Sequence, residues 1–522
     1  MVPKQEPDTE IGGVRYPWTT HLAEQIGETY SPLSRRMPHP DKDSNGEEVQ
    51  EHHGGFILGS SIMNSIVANN TRARPENAGV RDHGNIEIHA LLMSLKSGIP
   101  GEVRLALDTI SSIVWEPNAV LGPLGPTSGH MPGNAHRLNL AFKESGDLVE
   151  SLVDCAEFQL DYLADNTDVD EYSDSISFRP VEEIARETMV EMNSLQDIPE
   201  NGSIEYDLEQ TAEKLLCITT ILRNLTELPQ HNRIALADPS VVKIMANIIR
   251  HLGSRHMLLR TYRNTFDFSK DVIIYFSAVA NDITLSSKDE ASWILQFLLS
   301  FAPPIQQLNG EDCELYFPAY MRGSHKYLPY AIQTLAKLLA SGDPNRAYLK
   351  SVFAADIAAG SSPDLLTRAF AMCISPLPLL ADEIYPRIRS RAAFLTQGLL
   401  AADSLVTLIP PTEHGLARAW LSSEDGFAER LLRIIAKLSI NFQPPRVVTA
   451  GGHIDDGHDL VQEYGLSILR KLAERAKDAD TSVGQLSTSM LFKKALLSAA
   501  MTAGPMQERT LQLLVGYLSL DI

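Results

Sequence analysis

The stretch TAEKLLCITTILRNLTELPQHNRIALADPSVVKIMANIIRHL, residues 211–252, carries apolar residues at helical spacing on both sides of a short polar break. Leu215, Leu216, Ile218, Ile221, Leu222 and Leu225 cover a broad arc of one helix that ends near Pro229. Pro239 opens the next, because proline is tolerated in the first turn of a helix and not in its interior. A helix apolar over so wide an arc is not stable alone, so neighbours must cover it from more than one side. Helix stacked on helix through short connections is the predicted building rule.

The rule recurs along the chain. In IHALLMSLKSGIPGEVRLALDTISSIV (residues 88–114), Leu91, Leu92 and Leu95 mark a first helix. Val103, Leu105, Ala106, Ile110 and Ile113 mark a second, with Gly98 and Pro100 as the punctuation between them. GDLVESLVDCAEFQLDYL places Leu148, Val149, Leu152 and Val153 inward on a third. Further units are KDVIIYFSAVANDI with EASWILQFLLSF, YAIQTLAKLLASGDPNRAYLKSVF, FAERLLRIIAKLSINF, LVQEYGLSILRKLAERA, and MLFKKALLSAAM with MQERTLQLLVGYLSL. Alternation of strand type is nearly absent from residue 86 onward, so the fold class expected is all-α, a helical-repeat solenoid. Irregular spacing, with insertions such as APPIQQLNGEDCELYFP and PPRVVTAGGHIDDGHD, points to a divergent repeat.

Charge divides the chain further. Its net charge of −21 sits mostly between Glu144 and Glu209, where 20 Asp or Glu face only Arg179 and Arg186. ADNTDVDEYSDSISFRP, at the centre of that segment, lacks an apolar stripe and is rich in turn formers, which favours a mobile loop over a contact for a basic partner. The expected organisation is an extended or disordered arm (1–85), a first part of the solenoid (86–163), an acidic mobile insertion (164–208) and the main solenoid (209–522). The N-terminus has neither a basic nor an apolar leader region, and no apolar run has the length of a membrane span, so a soluble intracellular protein is expected. Cys155, Cys217, Cys313 and Cys373 are far apart in sequence and are expected to be free thiols, three of them in apolar segments.

The type of repeat follows from particular residues. ILRNLTELPQHNRIALADPSVVKIMANII resembles an armadillo repeat, with Leu222, Asn224, Leu225, Thr226, Asn232, Ile234 and Val242 at the positions of the motif. Leu222, Asn224 and Leu225 are assigned to the structural core, Asn224 as a residue that satisfies backbone groups where the chain turns. Three strings extend the resemblance: HALLMSLKSGIPGEVRLALDTISSI, EKLLCITTILRNLTELPQHNRIALADP and LLRTYRNTFDFSKDVIIYFSAVANDITL. They are similar to the C-terminal core-binding region of the AT-rich-interaction-domain subunit of SWI/SNF chromatin remodellers, in its fungal form. The resemblance covers residues 86–301 and, more weakly, the helices beyond.

The resemblance implies an armadillo-like solenoid split by an acidic insertion. It implies a non-catalytic nuclear scaffold that holds the ATPase subunit's helical extension and other core subunits together for transcription regulation, and that meets the nucleosome only through the complex. The family's DNA-binding domain is not recognisable in residues 1–85, so its DNA contacts do not carry over. An armadillo-type adaptor or transport receptor for extended peptides is the alternative. Such receptors repeat Asn and Trp along a groove, whereas Asn247 stands almost alone here and the four Trp show no period.

Motifs for chemistry are sparse. No phosphate-binding loop and no strand-borne GxGxxG occurs, so no catalytic residue, cofactor or small-molecule substrate is assigned. GGHIDDGHD gathers His453, Asp455, Asp456, His458 and Asp459, but a polar loop with Asp459 capping the next helix is favoured over a metal site, and EHH (51–53) is weaker still. RHLGSRHMLLRTYRN is the remaining candidate. Arg250, Arg255, Arg260, Tyr262 and Arg263 form a basic ridge suited to an acidic partner protein, with intramolecular pairing and nucleic-acid binding as the open alternatives.

Overall fold

The computed structural model describes residues 51–53, 56–58, 88–115, 146–169, 176–195, 197–227, 231–307, 315–360, 364–378, 384–410, 414–440 and 458–476. Two compact units divide the chain, Met1–Ser145 and Gly146–Ile522. In the first, strands β1 (Glu51–His53) and β2 (Phe56–Leu58) pair antiparallel, so EHH lies on a strand. Helices α1 (Ile88–Lys96) and α2 (Pro100–Trp115) pack on each other. Gly98 takes φ +69°, the left-handed turn that its place between two helices requires.

The second unit contains α3 (Gly146–Asp165), α4 (Val181–Asn193), α5 (Ile204–Leu225), α6 (His231–Leu236), α7 (Pro239–Ser254), α8 (Tyr262–Val279), α9 (Lys288–Leu299) and α10 (Leu328–Ala340). It continues with α11 (Asn345–Ala359), α12 (Leu365–Ile374), α13 (Ile384–Leu408), α14 (His414–Leu421), α15 (Phe427–Ile440) and α16 (His458–Ala476). The starts are written in the sequence. Ser203, Asp238, Thr261, Ser287 and Asp364 each accept a hydrogen bond from a first-turn amide of α5, α7, α8, α9 and α12. Glu290 returns the favour at α9 by accepting from Ser286 N at 2.6 Å.

Helix order gives a row. α3 packs on α5, α5 on α8, α8 on α10, α10 on α13 and α13 on α16, each against the next. Alongside, α3 meets α7, α7 meets α9, and α9 meets both α11 and α12, which leads back to α13. In this row α5, α8, α10 and α13 each lie between two others, which covers the broad apolar arcs read in residues 211–252. Leu215, Ile218, Ile221, Leu222 and Leu225 are all buried, as are Leu148, Val149, Leu152 and Val153 on α3. Aromatic rings fill the later part, where Phe370 stacks on Trp420 at 4.0 Å and Phe317 meets Phe370 and Phe427 edge-on. At Gly398 a side-chain Cβ would stand 2.4 Å from the Cys373 carbonyl oxygen, so α12 and α13 approach as closely as they do only because this residue is glycine.

Two stretches differ from the sequence expectation. Helix α4 and the first turn of α5 lie within 164–208, where charge and composition predict a mobile insertion. The physical reason is a narrow but sufficient stripe: Val181, Ile184 and Thr188, spaced three and four apart, are buried and α4 packs on α8. The insertion APPIQQLNGEDCELYFP also makes structure. Strands β3 (Gln306–Gln307) and β4 (Leu315–Tyr316) pair antiparallel, and Leu315 O accepts from Glu424 N at 2.9 Å. Among the described residues the fold is otherwise helical, and no helix is long and apolar enough to cross a membrane. Cys155, Cys217 and Cys373 are buried free thiols. Cys313, residues 451–457 of GGHIDDGHD, most of the 1–85 arm and the helical patterns after residue 476 lie outside the described residues.

Candidate partner-binding site

The basic stretch 250–263 spans the end of α7, the turn into α8 and the start of α8. The turn is tight, with Met257 at φ +54° and Arg260 at φ +69°, positions that cost a non-glycine residue on the order of 1–3 kcal/mol. Leu258 and Leu259, both fully buried, hold it in place. Thr261 then caps α8, and Asn264 Nδ2 donates to Leu259 O at 3.0 Å.

The five candidates do not form one free face. Arg255 turns inward: its Nε donates to Ala164 O at 3.2 Å and its Nη1 bonds His251 Nδ1. Burial, then the Arg255 and Arg250 charges, push His251 down to about 4, so its ring is neutral near pH 7 and its Nδ1 accepts that bond. Backbone pairing between Val169 and Arg255 fixes the same crossing. Tyr262 accepts from Arg179 Nη1 at 2.9 Å, and the Arg179 guanidinium lies 5.4 Å from its ring centre. Arg263 approaches Asp267 at 3.9 Å, burial and then Glu213 push the Glu209 carboxyl up against the opposing charge of Arg260, and Arg250 is exposed over the Trp293 ring at 5.3 Å.

The acidic segment is the counterpart of this stretch. Glu191 on α4 accepts from the backbone amides of Tyr262 and Arg263, at 3.3 and 2.9 Å, where the start of α8 favours a negative charge. Residues 176–178 cross α7 at Gly253, where an added Cβ would fall 2.4 Å from Ile176 Cγ2, and Ser177 N donates to Gly253 O at 3.1 Å. The start of α8 and the end of α7 are thus both covered by parts of the acidic segment.

A second polar group, which the sequence does not single out, lies between α5, α8 and the start of α10. Asp271 is only 2% exposed and accepts from Thr220 Oγ1 at 2.6 Å. Burial raises its carboxyl to about 6 against the opposing influence of Thr220, Lys270 and Arg223. Arg223, itself buried, donates from Nη1 to Asn224 Oδ1 at 2.8 Å and pairs with Glu227 at 3.2 Å. The carbonyl at the end of α5 is satisfied by Thr226 Oγ1, which donates to Arg223 O at 2.7 Å. Asn224 is therefore buried with Leu222 and Leu225, but its oxygen holds a guanidinium, not the turning backbone.

A pH effect follows. The native state binds the Asp271 proton more tightly than the unfolded chain, so this group's contribution to stability falls as pH rises from about 4 to about 6. Asp271→Asn is expected to flatten that slope, with a gain of up to about 3 kcal/mol near pH 7 relative to pH 4. Denaturation of both proteins across that range checks it; parallel curves would show that the carboxyl ionises normally.

Among the described residues no group of three or more His, Cys, Asp or Glu has the arrangement of a metal site. No protein-family model matches the chain. Over 437 residues it is 24% identical to the SWI/SNF chromatin-remodeling complex subunit sol1 of Schizosaccharomyces pombe, a match that takes in 80% of this chain and 47% of the relative. The chain thus spans about half the length of that protein, and over most of its own length it is a chain similar to a SWI/SNF chromatin-remodelling subunit.

Proposed function

We propose that this chain is a non-catalytic scaffold of a SWI/SNF-type ATP-dependent remodelling complex, acting in the nucleus in transcription regulation. Its helices form an armadillo-like solenoid whose sides hold the ATPase subunit's helical extension and other core subunits, and it meets the nucleosome through them. The observation that carries this reading is the similarity to a SWI/SNF subunit across 80% of the chain. The row of helices supports it, because packed helices offer separate sides to separate partners and need no reacting centre. Depletion of the protein tests the role. The ATPase is expected to sediment in a smaller assembly lacking several subunits; an assembly of unchanged size and composition would remove the scaffold reading.

A further inference from the structure

Helix α4 is anchored on one side and uncovered on the other. Its inner face buries Val181, Ile184 and Thr188, Glu182 lies 3.4 Å from His325 Nε2, and Val181 N donates to Ser300 O at 2.9 Å. His325 Nδ1 accepts from Met321 N, so Nε2 carries the proton that faces Glu182. Beyond this anchored face the chain turns apolar outward. Val190 and Met192 are each 65% exposed, Ile198 is 92% and Leu195 is 104%, and Ile204 at the start of α5 is exposed too. Exposed apolar groups are unremarkable singly, but here five large ones fall within fifteen residues, whereas Ile99, Leu105 and Ile234 are the other exposed Leu and Ile among the described residues, so this stretch is a surface awaiting cover.

Its border has a sign. Asp197, Glu200, Glu205 and Asp207 are exposed in the same stretch and pair with no described cation. Between Glu182 and Glu209 Arg186 is the one basic residue, and it faces Glu182 at 3.6 Å. The carboxylates of Glu182, Glu183 and Glu191 are already engaged by His325 and Arg186, by Arg179, and by the start of α8, whereas these four are not.

We infer that the end of α4 and the described residues that lead into α5, 189–195 and 197–204, form a projecting peg that enters an apolar groove bordered by Lys or Arg on a partner protein. This rests on the subunit reading above and names one contact surface of it. Side chains as exposed as Leu195 and Ile198 stand clear of the fold, so they cannot act as the floor of a groove and must enter one. The unpaired carboxylates select a basic border and repel phosphate, which disfavours nucleic acid and anionic lipid. A second copy of this chain would bring acid against acid across a two-fold contact.

The test uses the full chain, tagged and purified with its complex. With p-benzoylphenylalanine in place of Leu195, irradiation is expected to cross-link one other subunit, at apolar residues flanked by Lys or Arg. Leu195→Ser with Ile198→Ser is expected to lower recovery of that subunit roughly ten-fold while the others stay and the thermal melt is unchanged. Asp197→Asn with Glu200→Gln is expected to blunt the loss of that subunit between about 50 and about 300 mM salt. Cross-links confined to this chain or a second copy of it, or to a surface without basic residues, would overturn the proposal, as would full retention by the double serine variant. Failure of the wild-type chain to recover any remodeller subunit would instead count against the subunit reading itself.

Discussion

Leu222→Ala is expected to destabilise the fold by about 2–5 kcal/mol, and Leu225→Ala by a similar amount. Both side chains are buried on α5, which lies between α3 and α8 in the row of helices. Truncation removes buried methyl groups and leaves a cavity that neighbours on two sides prevent from collapsing. The face cannot rotate to compensate, because Arg223 and Asn224 between the two leucines are held in the polar group with Glu227. Ile234→Ala on α6 is the control: it is exposed, and its change should stay within about 0.5 kcal/mol. Reversible chemical denaturation measures both. A cost below ~1 kcal/mol at Leu222 would contradict its placement in the core.

Trp420→Ala is expected to cost about 3–5 kcal/mol, the largest effect of any single truncation considered. Its indole is fully buried on α14, stacked 14° from parallel on Phe370, and its Nε1 donates to Thr367 Oγ1 at 2.9 Å. Trp420→Phe separates the two contributions. It keeps most of the stacked area and loses the hydrogen bond, for about 0.5–1.5 kcal/mol from the bond plus the smaller ring's lost packing. Thr367 is not left with an unsatisfied donor, since its hydroxyl still donates to Asp364 Oδ2 at 2.8 Å. Equal losses for Ala and Phe would show that the hydrogen bond, and not the ring, secures α14 to α12.

What the sequence reveals depends on how far apart the interacting residues are. α5 and α7 are legible because a continuous stripe and a capping Asp238–Pro239 start are local signals. α4 is not, because three buried positions among many charges make a weak stripe, and its outward Val190 and Met192 blur even that. Arg255 and Ala164 are 91 positions apart and Thr220 and Asp271 are 51 apart, so neither pairing has any trace in periodicity. The basic ridge is visible as composition, but composition cannot say which arginines the fold itself occupies. The paired tyrosine and arginine at 262 and 179 make the same point, since the partner of the ridge lies in the segment expected to be mobile.

Affinity purification of the tagged chain from nuclear extract, followed by mass spectrometry of everything retained at moderate salt, tests the scaffold reading most directly. The expected result is a SWI/SNF-type ATPase recovered together with its core subunits in near-equal amounts. Recovery of a changing set of single cargo-like proteins, with no remodelling ATPase among them, would contradict the scaffold and favour a peptide-binding adaptor.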